Sequence, residues 1–223
     1  MSEVRDAYSK LFIDFDRDSF FKKGIDDIIF IESEDINKEW HKLKKSLFEN
    51  KEVFIRGYGR DARKTNMYLK LYETIFGNNK IKKDPSNNSE PTKILQMLTN
   101  YSKIKTSNKT QIINYQVSHL FGKTKNPLLF TSPWNIAYIP KYLDPFTGHE
   151  TKGKHSSDFK IMMNEIIQLR FKEFIRDYNF EIKKRISREL ISIGIEKVIK
   201  EFNLKKNEIE RFENDVKAEL CEI

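Results

Sequence analysis

Four prolines between positions 127 and 145 (Pro127, Pro133, Pro140 and Pro145) restrict this chain more than any other feature. Proline lacks an amide hydrogen and its ring collides with the preceding helical turn, so no long helix fits among them. The one helix this spacing admits is a short one opening at Trp134, just after Pro133. From Ser157 onward the character changes, and helical patterns are expected over 159–180, 181–202 and 205 to about 219. The series Ile182, Ile186, Leu190 and Ile193 would give those helices a seam for a partner helix.

Upstream of the prolines the chain is mixed. Trp40, Leu43, Leu47 and Phe48 recur at helical spacing over 38–48, with Asn37 as a cap. Residues 52–56 read as a short strand, Gly57-Tyr58-Gly59 as a break, and 61–76 as an amphipathic helix. Residues 78–79 and 84–91 read as loops, and 92–98 as one or two helical turns. Ile112, Ile113, Tyr115 and Val117 predict a strand ending near His119, with a turn at Gly122. The expected fold class is α+β, mostly helical, in three segments: 1–110 as mixed support and DNA-binding region, 111–155 as the chemical unit, and 156–223 as a helical region.

Mean hydropathy is −0.66, yet 17 Phe, 9 Tyr and 2 Trp supply the bulk that a disordered chain lacks. No apolar run reaches the roughly 20 residues that cross a bilayer, and Met1 is followed by polar residues rather than a signal pattern. A cytoplasmic protein with no membrane partner is expected. The single Cys221 allows neither an internal disulfide nor a cysteine-rich zinc site. Net charge is +8, and nine lysines between Lys80 and Lys125 face only Asp84 and Glu90. Clustered cations release counterions on meeting phosphates, so this block predicts a nucleic-acid footprint.

Three of the four histidines, His119, His149 and His155, fall in the same region. Phosphodiester hydrolysis needs a base to activate water and a cation to neutralise phosphate charge, and one imidazole beside one metal supplies both. His119, the Gly122 turn, Asn135 sixteen residues after the histidine, and His149 in Thr147-Gly148-His149-Glu150 together resemble the His-Me finger (HNH-like, ββα-metal) nucleases, restriction endonucleases among them. The resemblance covers roughly 111–155. It implies a ββα-metal unit embedded in the helical body, a Mg²⁺-dependent endonuclease acting on double-stranded DNA, and one divalent ion per active site. His119 is then the general base, Asn135 either binds metal or orients the histidine loop, and His149, Asn135 and Ser118 are the metal ligands. Ser118 stands where many relatives carry an acidic or histidine ligand, leaving Gln116, Asp144 or Asn126 as further donors.

Lys123 and Lys125 are expected to touch phosphates near the scissile bond, and Arg56, Arg60, Arg63 and Lys64 to contact phosphate or guanine. A type II restriction enzyme of this kind is expected to work as a homodimer. Two other readings remain open: a non-catalytic basic nucleic-acid-binding protein with structural histidines, and a helical scaffold. The plain reading of His119 is a strand-end histidine bonded to backbone, that of Asn135 a cap or turn residue, and that of His155 a solvated side chain.

Overall fold

The computed structural model describes residues 5–57, 62–147 and 151–223, with residues 62 and 63 described by their backbone alone. It opens with two short helices, α1 (Ala7–Asp14) and α2 (Arg17–Asp26). Each starts at an aspartate that accepts a backbone N–H of the first turn: Asp6 from Tyr8 and Asp16 from Ser19. Helix α3 (Ser33–Phe48) begins one turn earlier than the apolar pattern predicts, and Asn37 lies inside it. It buries Ile36, Trp40, Leu43 and Leu47, one stripe at helical spacing.

Strand β1 (Val53–Ile55) and helix α4 (Ala62–Ile75) match the predicted strand and helix. The chain then returns as β2 (Ile81–Lys83), parallel to β1 in the register Val53↔Ile81. This strand is absent from the sequence reading: three residues, one of them buried, carry too little alternation to signal it. Helix α5 (Ser89–Leu98) and the two-residue parallel pair β3 (Tyr101–Ser102) and β4 (Thr110–Gln111) follow.

The prolines bracket the part of the fold that matters most. Strand β5 (Tyr115–His119) pairs antiparallel with β6 (Ile136–Pro140), placing His119 opposite Ile136 and Tyr115 opposite Pro140. Ile29 adds an antiparallel bridge to Tyr138 on the far side. Every residue from 126 to 140 is buried. No helix opens at Trp134; its indole is fully buried and meets Trp40 edge-on at 5.6 Å and Tyr178 at 6.1 Å. Filling that interior space outweighs the local propensity that proline gives a helix start. A connection buried so deeply must satisfy its own polar backbone. It does so through successive turns, Phe130 N to Asn126 O (2.9 Å), Ser132 N to Leu129 O (3.2 Å) and Asn135 N to Ser132 O (3.0 Å).

After a 3-10 turn (Lys141–Leu143) and the short α6 (Asp144–Thr147) come α7 (Lys154–Arg170), α8 (Lys172–Arg185), α9 (Arg188–Phe202) and α10 (Lys206–Leu220). The two long predicted helices break at Phe171 and at Ile186-Ser187, where the Ser187 hydroxyl caps α9 by accepting from Leu190 N. The expected Ile182 to Ile193 seam is therefore divided between two helices, with Ile182 in the core and Ile193 exposed. Gly194 lets α9 lie close to α4: a Cβ there would sit 2.7 Å from Leu71 Cδ1. One hydrophobic cluster, from Phe21 to Leu220, runs through all three sequence segments. Among the described residues no helix is long and apolar enough to cross a membrane. The architecture is α+β and mostly helical, with β6 buried throughout and β5 half-buried at the edge of a cleft.

Candidate active site around His119

His119 ends β5, half-buried, with its ring stacked on Phe130 at 5.2 Å and 14°. Its Nε2 lies 2.9 Å from the Phe130 carbonyl oxygen. A carbonyl can only accept, so Nε2 carries the hydrogen and, in the neutral ring, Nδ1 carries the lone pair. Among the described residues Nδ1 has no hydrogen-bond partner. Burial pushes the imidazole down to about 4; the Phe130 carbonyl opposes this and the nearby Arg56 cation adds to it. The ring is therefore neutral at physiological pH, with one nitrogen fixed and the other without a partner among the described residues. The plain reading of His119 holds for Nε2 and leaves Nδ1 unexplained.

Two asparagines build the frame. Asn135 is fully buried. Its backbone oxygen accepts Leu120 N at 2.8 Å, its Oδ1 accepts Phe121 N at 2.8 Å, and its Nδ2 donates to Leu129 O at 2.9 Å and Gly122 O at 3.4 Å. One residue, through its backbone oxygen and its side chain, thus grips the three residues after His119 and the residue before Phe130. The Asn135 amide is engaged by backbone groups inside the core, which fits the loop-orienting role expected of it. The turn it clamps passes through Gly122 at φ 63°, a left-handed conformation natural to glycine. Asn126 works likewise, accepting Leu128 N and donating to Tyr178 Oη and to Glu219 O. The Asn126 side chain, fully buried, is thus engaged within the chain.

A cleft of about 390 Å³ opens beside the histidine, lined on one side by Ser118, His119 and Gly122 and on the other by Thr147 and by Lys160 and Asn164 of α7. Ser118 therefore borders the site. Gln116 and Asp144 are instead hydrogen-bonded to each other. His149 and Arg60 lie outside the described residues, as does the side chain of Arg63. Among the described residues no group of three His, Cys, Asp or Glu side chains is placed to hold a metal.

The expected cationic contacts fare differently. Arg56 is exposed and acts electrostatically on His119. Lys64 is engaged by Asp215 at 2.7 Å. Lys123 Nζ caps the end of α10, donating to Ala218 O at 3.0 Å and Cys221 O at 2.7 Å. Lys125 Nζ donates to Thr65 Oγ1 at 3.0 Å, and its backbone N–H donates to the half-buried Glu219 carboxylate at 3.1 Å. Burial raises that Glu219 carboxyl to about 6. Both ammonium groups are thus engaged within the chain, Lys123 by carbonyls at the end of α10 and Lys125 by the Thr65 hydroxyl. The lysine block is dispersed in the same way: Lys82 pairs with Glu52, Lys93 with Glu90, and Lys109 donates to the carbonyls of Gln96 and Thr99.

Three residues escaped the sequence reading. Asp84, fully buried, accepts from Ser86, Ser89 and Glu90 N–H groups and so holds the start of α5 and acts on His119 from nearby. Its sequence signal was the Asp-Pro turn. Lys160 and Asn164 were legible as a pair four apart flanking the buried Phe159, Met163 and Ile167. His155 is not solvated: its Nε2 meets Ser9 Oγ at 3.1 Å and its ring lies 5.1 Å from Phe12.

No solved structure matches the chain. A protein of Pasteurella multocida (strain Pm70), described as uncharacterized protein PM1201, is 39% identical over 220 residues, covering 97% of this chain and 96% of its own length. The family model described as uncharacterised protein PM1201 matches residues 31–223, which include β5, β6, α7 and the whole cleft, and the chain belongs to that PM1201 family.

Proposed function

We propose that this protein is a metal-dependent DNA endonuclease of the His-Me finger type, with restriction-type cleavage of double-stranded DNA as its task. The observation that carries the reading is His119: a neutral imidazole at a strand end, its Nε2 bound by Phe130 O and its Nδ1 unengaged among the described residues, beside a cleft. An antiparallel pair with histidine at the end of the first strand, asparagine just before the second, and a helix across the cleft is the arrangement expected of a ββα unit.

In the reaction, Nδ1 of His119 takes a proton from the attacking water, and the hydroxide displaces the leaving oxygen at phosphorus in line. The Phe130 carbonyl then bonds a ring that has become cationic, and hydrogen bonds to the charged form favour it. A phosphodiester in the cleft raises the proton affinity of His119 in the same direction. Asn135 positions the loop without touching substrate. A Mg²⁺ ion would neutralise charge on the phosphate and the leaving oxygen. Its donors would be His149 with Ser118 and Asn164, a thin set suited to an ion that keeps several waters and is held partly by substrate phosphate.

The basic-binding alternative draws less support, because five of the nine lysines in the block, Lys82, Lys93, Lys109, Lys123 and Lys125, are tied to partners within the chain. The test is cleavage of supercoiled plasmid with Mg²⁺ at low salt, comparing wild type with His119→Ala. Nicks or discrete fragments from the wild type alone are expected. Intact plasmid from both proteins, with Mg²⁺ and with Mn²⁺, would sink the proposal.

A further inference from the structure

We infer that Lys160 binds the phosphodiester in the His119 cleft, an assignment that rests on the reading of this cleft as a nuclease site. Among the described residues lining it, Lys160 is the one charged side chain; no Asp or Glu borders it. Lys160 is exposed and makes no ion pair or hydrogen bond with any described residue. That separates it from Lys64, Lys109, Lys123 and Lys125, each held by an acid, a hydroxyl or backbone carbonyls.

Its position is fixed by packing rather than by polar contacts. Phe159, Met163 and Ile167 are buried at 0%, 7% and 2% exposure, which sets the rotation of α7. Residues 160 and 164 then fall together on the flank of the helix that borders the cleft. The walls between Lys160 and His119 include Phe121, Ile139, Phe159 and Met163. Apolar walls lower the local dielectric, so a cation that no described acid pairs attracts an anion there more strongly than a lysine on an open face. A neutral base on one side and a single cation on the other suit a singly charged phosphodiester. The Asn164 amide, four residues on, offers a second donor to the same group.

The experiment compares wild type, Lys160→Gln and Lys160→Arg by two readouts: nicking of supercoiled plasmid with Mg²⁺, and binding of a short DNA duplex in EDTA across a range of NaCl. Removing the charge should slow nicking by roughly ten-fold or more, the scale of one charged hydrogen bond. It should also make the slope of log K against log [NaCl] shallower by about 0.9, one phosphate contact fewer. Lys160→Arg should restore both. An unchanged salt slope in Lys160→Gln overturns the assignment, whatever the nicking rate. If wild type binds the duplex but nicks nothing, the nuclease reading falls by itself, and the salt slope still decides for or against Lys160. Because the side chain is exposed, all three proteins should show the same thermal transition, which circular dichroism verifies.

Discussion

Asn135→Ala is the most informative single change in this molecule. The side chain is fully buried and makes three contacts, at 2.8 Å to Phe121 N, 2.9 Å to Leu129 O and 3.4 Å to Gly122 O. Truncation leaves these groups unequally affected. Leu129 O keeps a bond from Ser132 N at 3.2 Å, and the Gly122 contact is long and weak. The Phe121 N–H loses its partner outright, and an unsatisfied buried donor costs about 1–3 kcal/mol. Adding a weakened carbonyl and a small cavity, the total loss should be about 2–4 kcal/mol. Asn135→Asp separates clamp from ligand. It keeps the acceptor for Phe121 N but sets a buried carboxylate oxygen against Leu129 O, so a clamp is destabilised at least as much as by alanine. A metal ligand would tolerate the change. Urea unfolding followed by circular dichroism measures both variants, and a change in midpoint at constant slope reports stability alone. NMR titration of His119 supplies the second readout: its low pKa should move back toward 6.5 once the loop loosens and water enters. An alanine variant within about 0.5 kcal/mol of wild type, or an aspartate variant as stable as wild type, would refute the clamp.

The depressed His119 pKa gives two linked expectations. kcat/KM for DNA cleavage should stay level at neutral pH and fall in acid as the free enzyme protonates near pH 4, and a limb near 6.5 would contradict the desolvated ring. Stability should fall as pH drops from about 6.5 to 4, because the unfolded chain binds a proton there that the native ring refuses; His119→Gln should flatten this slope, leaving the opposite and smaller contribution of Glu219, whose raised pKa of about 6 favours the native state as pH falls. Lys123→Ala should cost about 1 kcal/mol through lost bonds at the end of α10 while leaving the salt dependence of DNA binding as in wild type; a slope shallower by about 0.9 would return Lys123 to the phosphate contacts.

Much of the site was legible as residue types at a spacing: a strand ending at His119, the Gly122 turn and Asn135 beyond it. What each residue does was not. Nothing local says that Phe130 O holds Nε2, because that contact forms only when the turns of residues 126–135 fold back on β5. Nor could the lysine count say which cations are engaged: Lys123 is held by the terminus of α10, 95 residues along the chain, whereas among the described residues lining the cleft no acid faces Lys160.

The sequence by itself determined α3, α4, the helical character of the region after residue 157, and most of β1 and β5, since helical and strand periodicity are properties of neighbours a few residues apart; α1 and α2 were not read from it. It also determined that no long helix runs through the prolines, a matter of proline geometry alone. Only the tertiary structure decided that this proline-rich segment is the centre of the molecule, that Trp134 enters the core instead of starting a helix, and that the predicted long helices break at Phe171 and Ile186. Burial and hydrogen-bond partnership depend on which distant elements supply apolar surface and spare donors, and that information exists only once the chain has folded.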